Sequence, residues 1–134
     1  MSKIDLHVHT TASDGVLTPA QVVARARERG LSHLAITDHD SVGSIAACLQ
    51  AAAGTELHVV PGIEVSTQWH DTDIHICGLF IDPQSASLKE LVSAQLKLRM
   101  ERSAAIALLR MIDGREREPV YTQRISFGHS RSEE

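Results

Sequence analysis

The chain has 134 residues, 43% of them apolar, and a formal charge of −4, enough for one packed domain and too short for two independent ones. The negative charge and the lack of any basic run argue against a sequence-independent grip on duplex DNA, which needs Lys and Arg to displace counterions from phosphates. A phosphate could instead be held by divalent cations, since a site of carboxylates and imidazoles collects metals and presents their charge to a substrate.

Ile4 to Val8 alternates apolar and polar residues and predicts a strand, with His7 and His9 on one face. Thr18 is the expected N-cap of a first helix, with Pro19 at its first position, Gln21 closing a capping box and Gly30 as its stop. Val22, Val23 and Ala26 form its apolar stripe, and Arg25, Arg27 and Arg29 its solvated face. His33 to Thr37 reads as a second strand, apolar enough to be covered on both faces.

A second helix is expected from about Val42 to Ala53, closed by Gly54, followed by a third strand at Leu57 to Val60 that Pro61-Gly62 punctuates. Ile63 to Thr67 is extended again, and Trp69 is expected in a loop, partly exposed. Asp71-Thr72 is a turn, and Asp73 to Phe80 a strand carrying His75. Ser87 with Glu90 marks the start of a long helix running to about Met111. The strand and helix order predicts an α/β domain with right-handed parallel crossovers over residues 1–112. Residues 113–134, opening on the charged run Asp113 to Glu118, are expected to form a poorly ordered tail.

Cys48 and Cys77 lack a CxxC spacing and read as two buried thiols in a reducing compartment. The N-terminus MSKIDLHVHT has no signal core, and the Ala-rich stretch from Ile45 to Ala53 is too short to span a bilayer. The expected location is cytoplasmic, without membrane association.

In parallel α/β folds ligands gather at the carboxyl ends of strands, which is where the metal-competent residues fall. His7 and His9 close the first strand and His39 follows the second. Asp14 lies in the loop after the first strand, and Glu64 and His75 lie in the next two extended segments. Residues i and i+2 of a strand project the same way, so an HxH pair can share one ion. Mixed nitrogen and oxygen ligation suits Zn, Mn or Fe better than Ca or Mg. Asp40 could cap the helix after it, while Asp38 could orient His39. His33, His58 and His70 have no partners at strand ends.

Asp5-Leu6-His7-Val8-His9-Thr10 with Ser13-Asp14-Gly15, Ile36-Thr37-Asp38-His39-Asp40, Pro61-Gly62-Ile63-Glu64-Val65-Ser66 and His75-Ile76-Cys77-Gly78-Leu79 stand in order along the chain. Together they resemble the polymerase and histidinol phosphatase (PHP) family of metal-dependent phosphoesterases. The resemblance spans roughly residues 3 to 110, including Arg99 and Arg102 in the long helix. It is nearest to the stand-alone members that dephosphorylate nucleoside 3′,5′-bisphosphates and trim RNA from the 5′ end.

The resemblance implies a distorted seven-stranded α/β barrel holding two or three divalent ions. His7 and His9 would bind one ion, Glu64 would bridge it to a second that His75 also binds, and Asp14 and His39 would bind a third. Glu64, His39 and Asp38 are then the expected catalytic residues, and a metal-held hydroxide would attack phosphorus in a small nucleotide or a single-stranded RNA end. Members of this type are about twice as long and add a later histidine and a terminal Asp-x-His pair; His129 is the one metal-competent imidazole after residue 112. About half a barrel would leave an open edge. A homodimer, a partner chain, or truncation of a longer reading frame would each account for that. The competing expectation is a catalytically incomplete metal-binding fragment.

Overall fold

A computed structural model describes residues 3–70 and 72–112. Its elements are β1 (Lys3–Val8), α1 (Pro19–Glu28), β2 (Leu31–Ile36), α2 (Ile45–Ala52), β3 (His58–Trp69), β4 (Thr72–Leu79) and α3 (Ala86–Ile112). The strands form one sheet in the order β1-β2-β3-β4. β1, β2 and β3 pair in parallel, and β4 returns antiparallel on β3. Parallel neighbours need a crossover, which α1 and α2 provide, so the expected α/β architecture is the one observed.

The start of α1 is set locally. Thr18 accepts from the Gln21 backbone N–H while the Gln21 side chain accepts from the Thr18 N–H, and Pro19 occupies the first turn, where its missing N–H costs nothing. The stripe Val22, Val23 and Ala26 is buried, and Arg25, Arg27 and Arg29 face water. Against that stripe pack Leu34 and Ile36 of β2, Ile45, Cys48 and Ala52 of α2, and Leu57. Each fully buried Leu, Ile or Val there contributes about 1.5–3 kcal/mol. The core therefore lies between the centre of the sheet and the two short helices.

Four boundaries differ from expectation. α2 starts at Ile45 rather than Val42, because Ser44 turns its hydroxyl onto Asp38 instead of capping the helix. Pro61-Gly62 does not end a strand. β3 runs through it, pairing with β2 up to Pro61 and with β4 from Gly62 onward. Glycine is required at this change of partner, since a Cβ on residue 62 would lie 2.9 Å from Thr37 Cγ2 and 3.0 Å from the Ile36 and Gly78 carbonyl oxygens. Trp69 is the last residue of β3 rather than a loop residue, and it is 67% exposed. Thr72 opens β4 instead of forming a turn; Asp71, the tail from residue 113 and His129 lie outside the described residues.

The periphery is thinly covered. Ile4 and Leu6 of the edge strand β1 are 56% and 42% exposed, and β4 is exposed along most of its length. α3 leaves Leu96, Leu98 and Met100 in water. Arg99 and Arg102 of α3 contact Asp40 and Asp73. No helix among the described residues is long and apolar enough to cross a membrane.

Candidate metal centre

All six predicted ligands converge at one end of the sheet. His7 Nε2 and His9 Nε2 lie 3.1 Å apart, and each is 2.8 Å from Glu64 Oε2. His75 Nδ1 stands 3.0 Å from the other carboxylate oxygen, Oε1. His9 Nδ1 is 2.6 Å from Asp14 Oδ1, and His39 Nε2 is 3.7 Å from Asp14 Oδ2 and 3.6 Å from Glu64 Oε2. Glu64 is thus a buried carboxylate at the centre of four imidazoles, its side chain only 7% exposed. These residues line part of a cavity of about 770 Å³ that continues along β1 and α1 past Val16, Arg25 and Arg29.

Local backbone geometry produces the convergence. The HxH pair leaves β1 on one face. Gly15 lets the following loop fold back, since a Cβ there would stand 2.5 Å from the His9 carbonyl oxygen, and Asp14 is thereby set against the His9 ring. Beyond the end of β2, Asp38 O accepts from the Glu64 N–H and Asp40 N–H donates to Glu64 O. This parallel bridge brings His39 beside Glu64.

Asp38 lies elsewhere than expected. It is fully buried, and its carboxylate accepts from the Thr10 N–H (2.7 Å) and from the hydroxyls of Thr10, Ser13 and Ser44. It does not orient the His39 ring, because the buried His39 Nδ1 has no hydrogen-bond partner among the described residues. Asp38 instead ties the β1 loop and the start of α2 to the end of β2, and cannot touch a substrate. Asp40 does not cap α2 either. Its carboxylate accepts from the Ser66 N–H at 2.8 Å and pairs with Arg99.

Burial alone would push the Glu64 carboxyl up, but the His7 hydrogen bond and the charges of His39, His7 and His9 outweigh it and hold Glu64 below its usual range. Asp14 behaves likewise: burial raises it, and the contacts with His9, the charge of His39 and the Ser13 hydroxyl bring it down. His39 is lowered, mainly by burial, against the raising pull of Glu64 and Asp14. Ionised carboxylates and a neutral imidazole are the protonation states that ligate metals.

The donor set fits a divalent ion. Three ligands with bonds of about 2.1 Å stand roughly 3.0–3.4 Å apart, close to the His7, His9 and Glu64 triangle. His9, His39 and Glu64 form one group of ligand atoms within 4.8 Å of one another, and His7, Glu64 and Cys77 form a second. Cys77 was expected to be buried and is exposed. It pairs directly across from Glu64, and its spacing of two from His75 is the same strand signal that marks His7 and His9. His33 and His58 stack on each other at 5.0 Å as register partners of β2 and β3, and His70 packs on Trp69. None of the three joins the cluster.

Residues 5–119 match the PHP domain, and the chain belongs to that family. It is 45% identical over 105 residues to the 5'-3' exoribonuclease Rnm of Escherichia coli (strain K12), covering 77% of this chain and 36% of that protein. To the 3',5'-nucleoside bisphosphate phosphatase of Chromobacterium violaceum it is 42% identical over 103 residues, with 77% and 36% covered. The fold superposes on an amidohydrolase structure from Chromobacterium violaceum with bound sulfate and no metal, at TM-score 0.76 and 38% identity, over 85% of this chain and 40% of that one. A Bifidobacterium adolescentis structure, assigned as a metal-dependent phosphoesterase, matches at TM-score 0.71 and 28% identity, with 76% and 36% covered. The chain spans about a third of the length of these curated relatives, 36% in both cases.

Proposed function

We propose that this chain is the metal-collecting part of a phosphoric ester hydrolase acting on small nucleotides or RNA 5′ ends, with Mn, Zn or Fe held by His7, His9, Asp14, His39, Glu64 and His75. The observation that carries the reading is the buried Glu64 carboxylate with one oxygen facing His7, His9 and His39 and the other facing His75, an arrangement suited to joining two ions. When bound, divalent ions would neutralise the phosphoryl oxygens and generate the attacking nucleophile from water. The chain's own residues hold and orient. Asp14 steadies the His9 ring, the Asp38 hydrogen bonds pin the loops carrying Asp14 and His39, and Glu64 keeps its negative charge at neutral pH.

The reading includes a cytoplasmic location, supported by two free cysteines, and no duplex DNA partner, supported by the net charge of −4. It also includes pairing of the exposed β1 edge with a second copy or another chain, supported by the exposure of Ile4 and Leu6.

The test is phosphate release from a nucleoside 3′,5′-bisphosphate and nucleotide release from a 5′-phosphorylated RNA, with Mn²⁺ or Zn²⁺ added. Metal-dependent turnover that Glu64→Ala abolishes is expected, and metal uptake without turnover on either substrate would overturn the claim of hydrolysis. That second outcome has its own support, because the cavity is open along β1 and the matching relatives continue well beyond the matched third. It would identify the chain as a metal-binding module completed by further polypeptide.

A further inference from the structure

His39 reaches the cluster from an isolated parallel bridge to Glu64 beyond the end of β2 rather than from a strand. Asp38 O and Asp40 N–H clasp the Glu64 backbone from either side, and Asp40 closes the bridge in the left-handed region at φ 48°. That conformation is costly for most residues and is tolerated by Asp and Asn because a short polar side chain can bond locally. Here the local bond is Asp40 Oδ1 to the Ser66 N–H, two residues beyond Glu64. Asp40 therefore clamps both sides of Glu64: its N–H on the Glu64 carbonyl and its carboxylate on Ser66.

The clamp carries a charge that its surroundings do not neutralise by themselves. The Asp40 side chain is 4% exposed, and among the described residues its carboxylate has one donor besides Arg99, the Ser66 N–H, whereas the fully buried Asp38 carboxylate is satisfied by four donors. Arg99 reaches it from α3, 59 residues away in sequence, at 2.5 Å from Oδ2. On the Arg99 face of α3, Leu88, Val92 and Gln95 are half-buried, while Leu96, Leu98 and Met100 beside it are exposed, so this part of the helix is lightly packed and Arg99 is its charged contact.

We infer that Arg99 is a positioning residue of the metal centre: by neutralising Asp40 it keeps the Asp40 clamp closed and so holds His39 against Glu64. The inference rests on the metal-centre reading for its consequence, and on the backbone hydrogen bonds for its cause. Outer partners of this kind, when removed, lower metal affinity about 10- to 100-fold.

The charge can be separated from the helix contact. Arg99→Ala leaves Asp40 buried and unpaired, whereas Asp40→Asn removes the charge while keeping both an oxygen for the Ser66 N–H and tolerance of the left-handed backbone. Two measurements are made on wild type, Arg99→Ala, Asp40→Asn and the double variant: amide hydrogen exchange at Asp40, Glu64 and Ser66 without metal, and the dissociation constant for Co²⁺ alone.

Arg99→Ala is expected to speed exchange at these amides about tenfold or more and to weaken Co²⁺ binding about 10- to 100-fold. The double variant should return both toward the values of Asp40→Asn, and Arg99→Lys should retain part of the wild-type behaviour. Unchanged exchange in Arg99→Ala would overturn the inference. So would a double variant no better than Arg99→Ala, which would mean that Arg99 acts by docking α3. Wild-type protein that binds no Co²⁺ would sink the metal-centre reading, and the exchange data would still decide whether Arg99 closes the clamp.

Discussion

The middle of the sheet and its rim are built on opposite principles. Around Leu34, Ile36 and Ile45, each about 1% exposed, apolar side chains from β2, α1 and α2 exclude water and supply most of the packing energy. At the rim, where β1, the end of β2 and β4 meet, the side chains are imidazoles and carboxylates in an open cavity, and order comes from hydrogen bonds between loops. The rim contributes little burial and all of the candidate chemistry. Stability and ligation should then separate under mutation, and each substitution below tests that separation.

The largest effect is expected from Glu64→Ala, because one carboxylate contacts all four imidazoles of the cluster. Metal uptake measured on the purified protein should fall more than about 100-fold, beyond what loss of an outer partner causes. Near-normal metal content would break the assignment of the rim as the ligating region. On the other side, Leu34→Ala should cost about 2–5 kcal/mol in a urea titration through loss of packing and a residual cavity. A cost well under 1 kcal/mol would show that the core is not where the stability lies.

Between the two regions stands Asp38. Asp38→Ala leaves the Thr10, Ser13 and Ser44 donors without their acceptor in a buried place, so a loss of about 1–3 kcal/mol is expected in the same titration. Metal affinity should fall with it, since the loops carrying Asp14 and His39 lose their tie. Unchanged affinity would place Asp38 with the core alone.

A smaller effect concerns pH. The native pKa of His39 is depressed below its ordinary 6.5, so the unfolded chain binds the proton first. Its contribution is present above about 6.5 and is lost as pH falls from there through the depressed native value. Glu64 and Asp14 are depressed too, which extends the loss to lower pH with the same sign. The metal-free protein should therefore lose stability on acidification, and His39→Gln should flatten the upper part of that slope. Stability rising from pH 6.5 to 5 would contradict the burial assigned to His39. The smallest effect belongs to α3: Leu98→Ala, at a residue 59% exposed, should change stability by no more than about 0.5 kcal/mol.

Much of the site was legible from the sequence because its signals are short-range. The two-residue spacing of His7 and His9 and the capping box at Thr18 follow from local geometry, and both appear as read. The apolar run Leu34 to Ile36 likewise marked the centre of the sheet. What was misread depended on partners distant in sequence. Asp38 and Asp40 look alike as flanks of His39, yet one is taken up by Thr10, Ser13 and Ser44 and the other by Ser66 and Arg99.

The chain by itself determined which metal-competent residue types would gather and which extended segments would carry them, since side-chain alternation and helix capping act over a few residues. Only the tertiary structure decided that β3 passes through Pro61-Gly62, that Cys77 faces Glu64, and that Arg99 answers the Asp40 charge. Those outcomes come from sheet pairing and from the need to compensate a buried carboxylate, and both join residues that spacing along the chain does not relate.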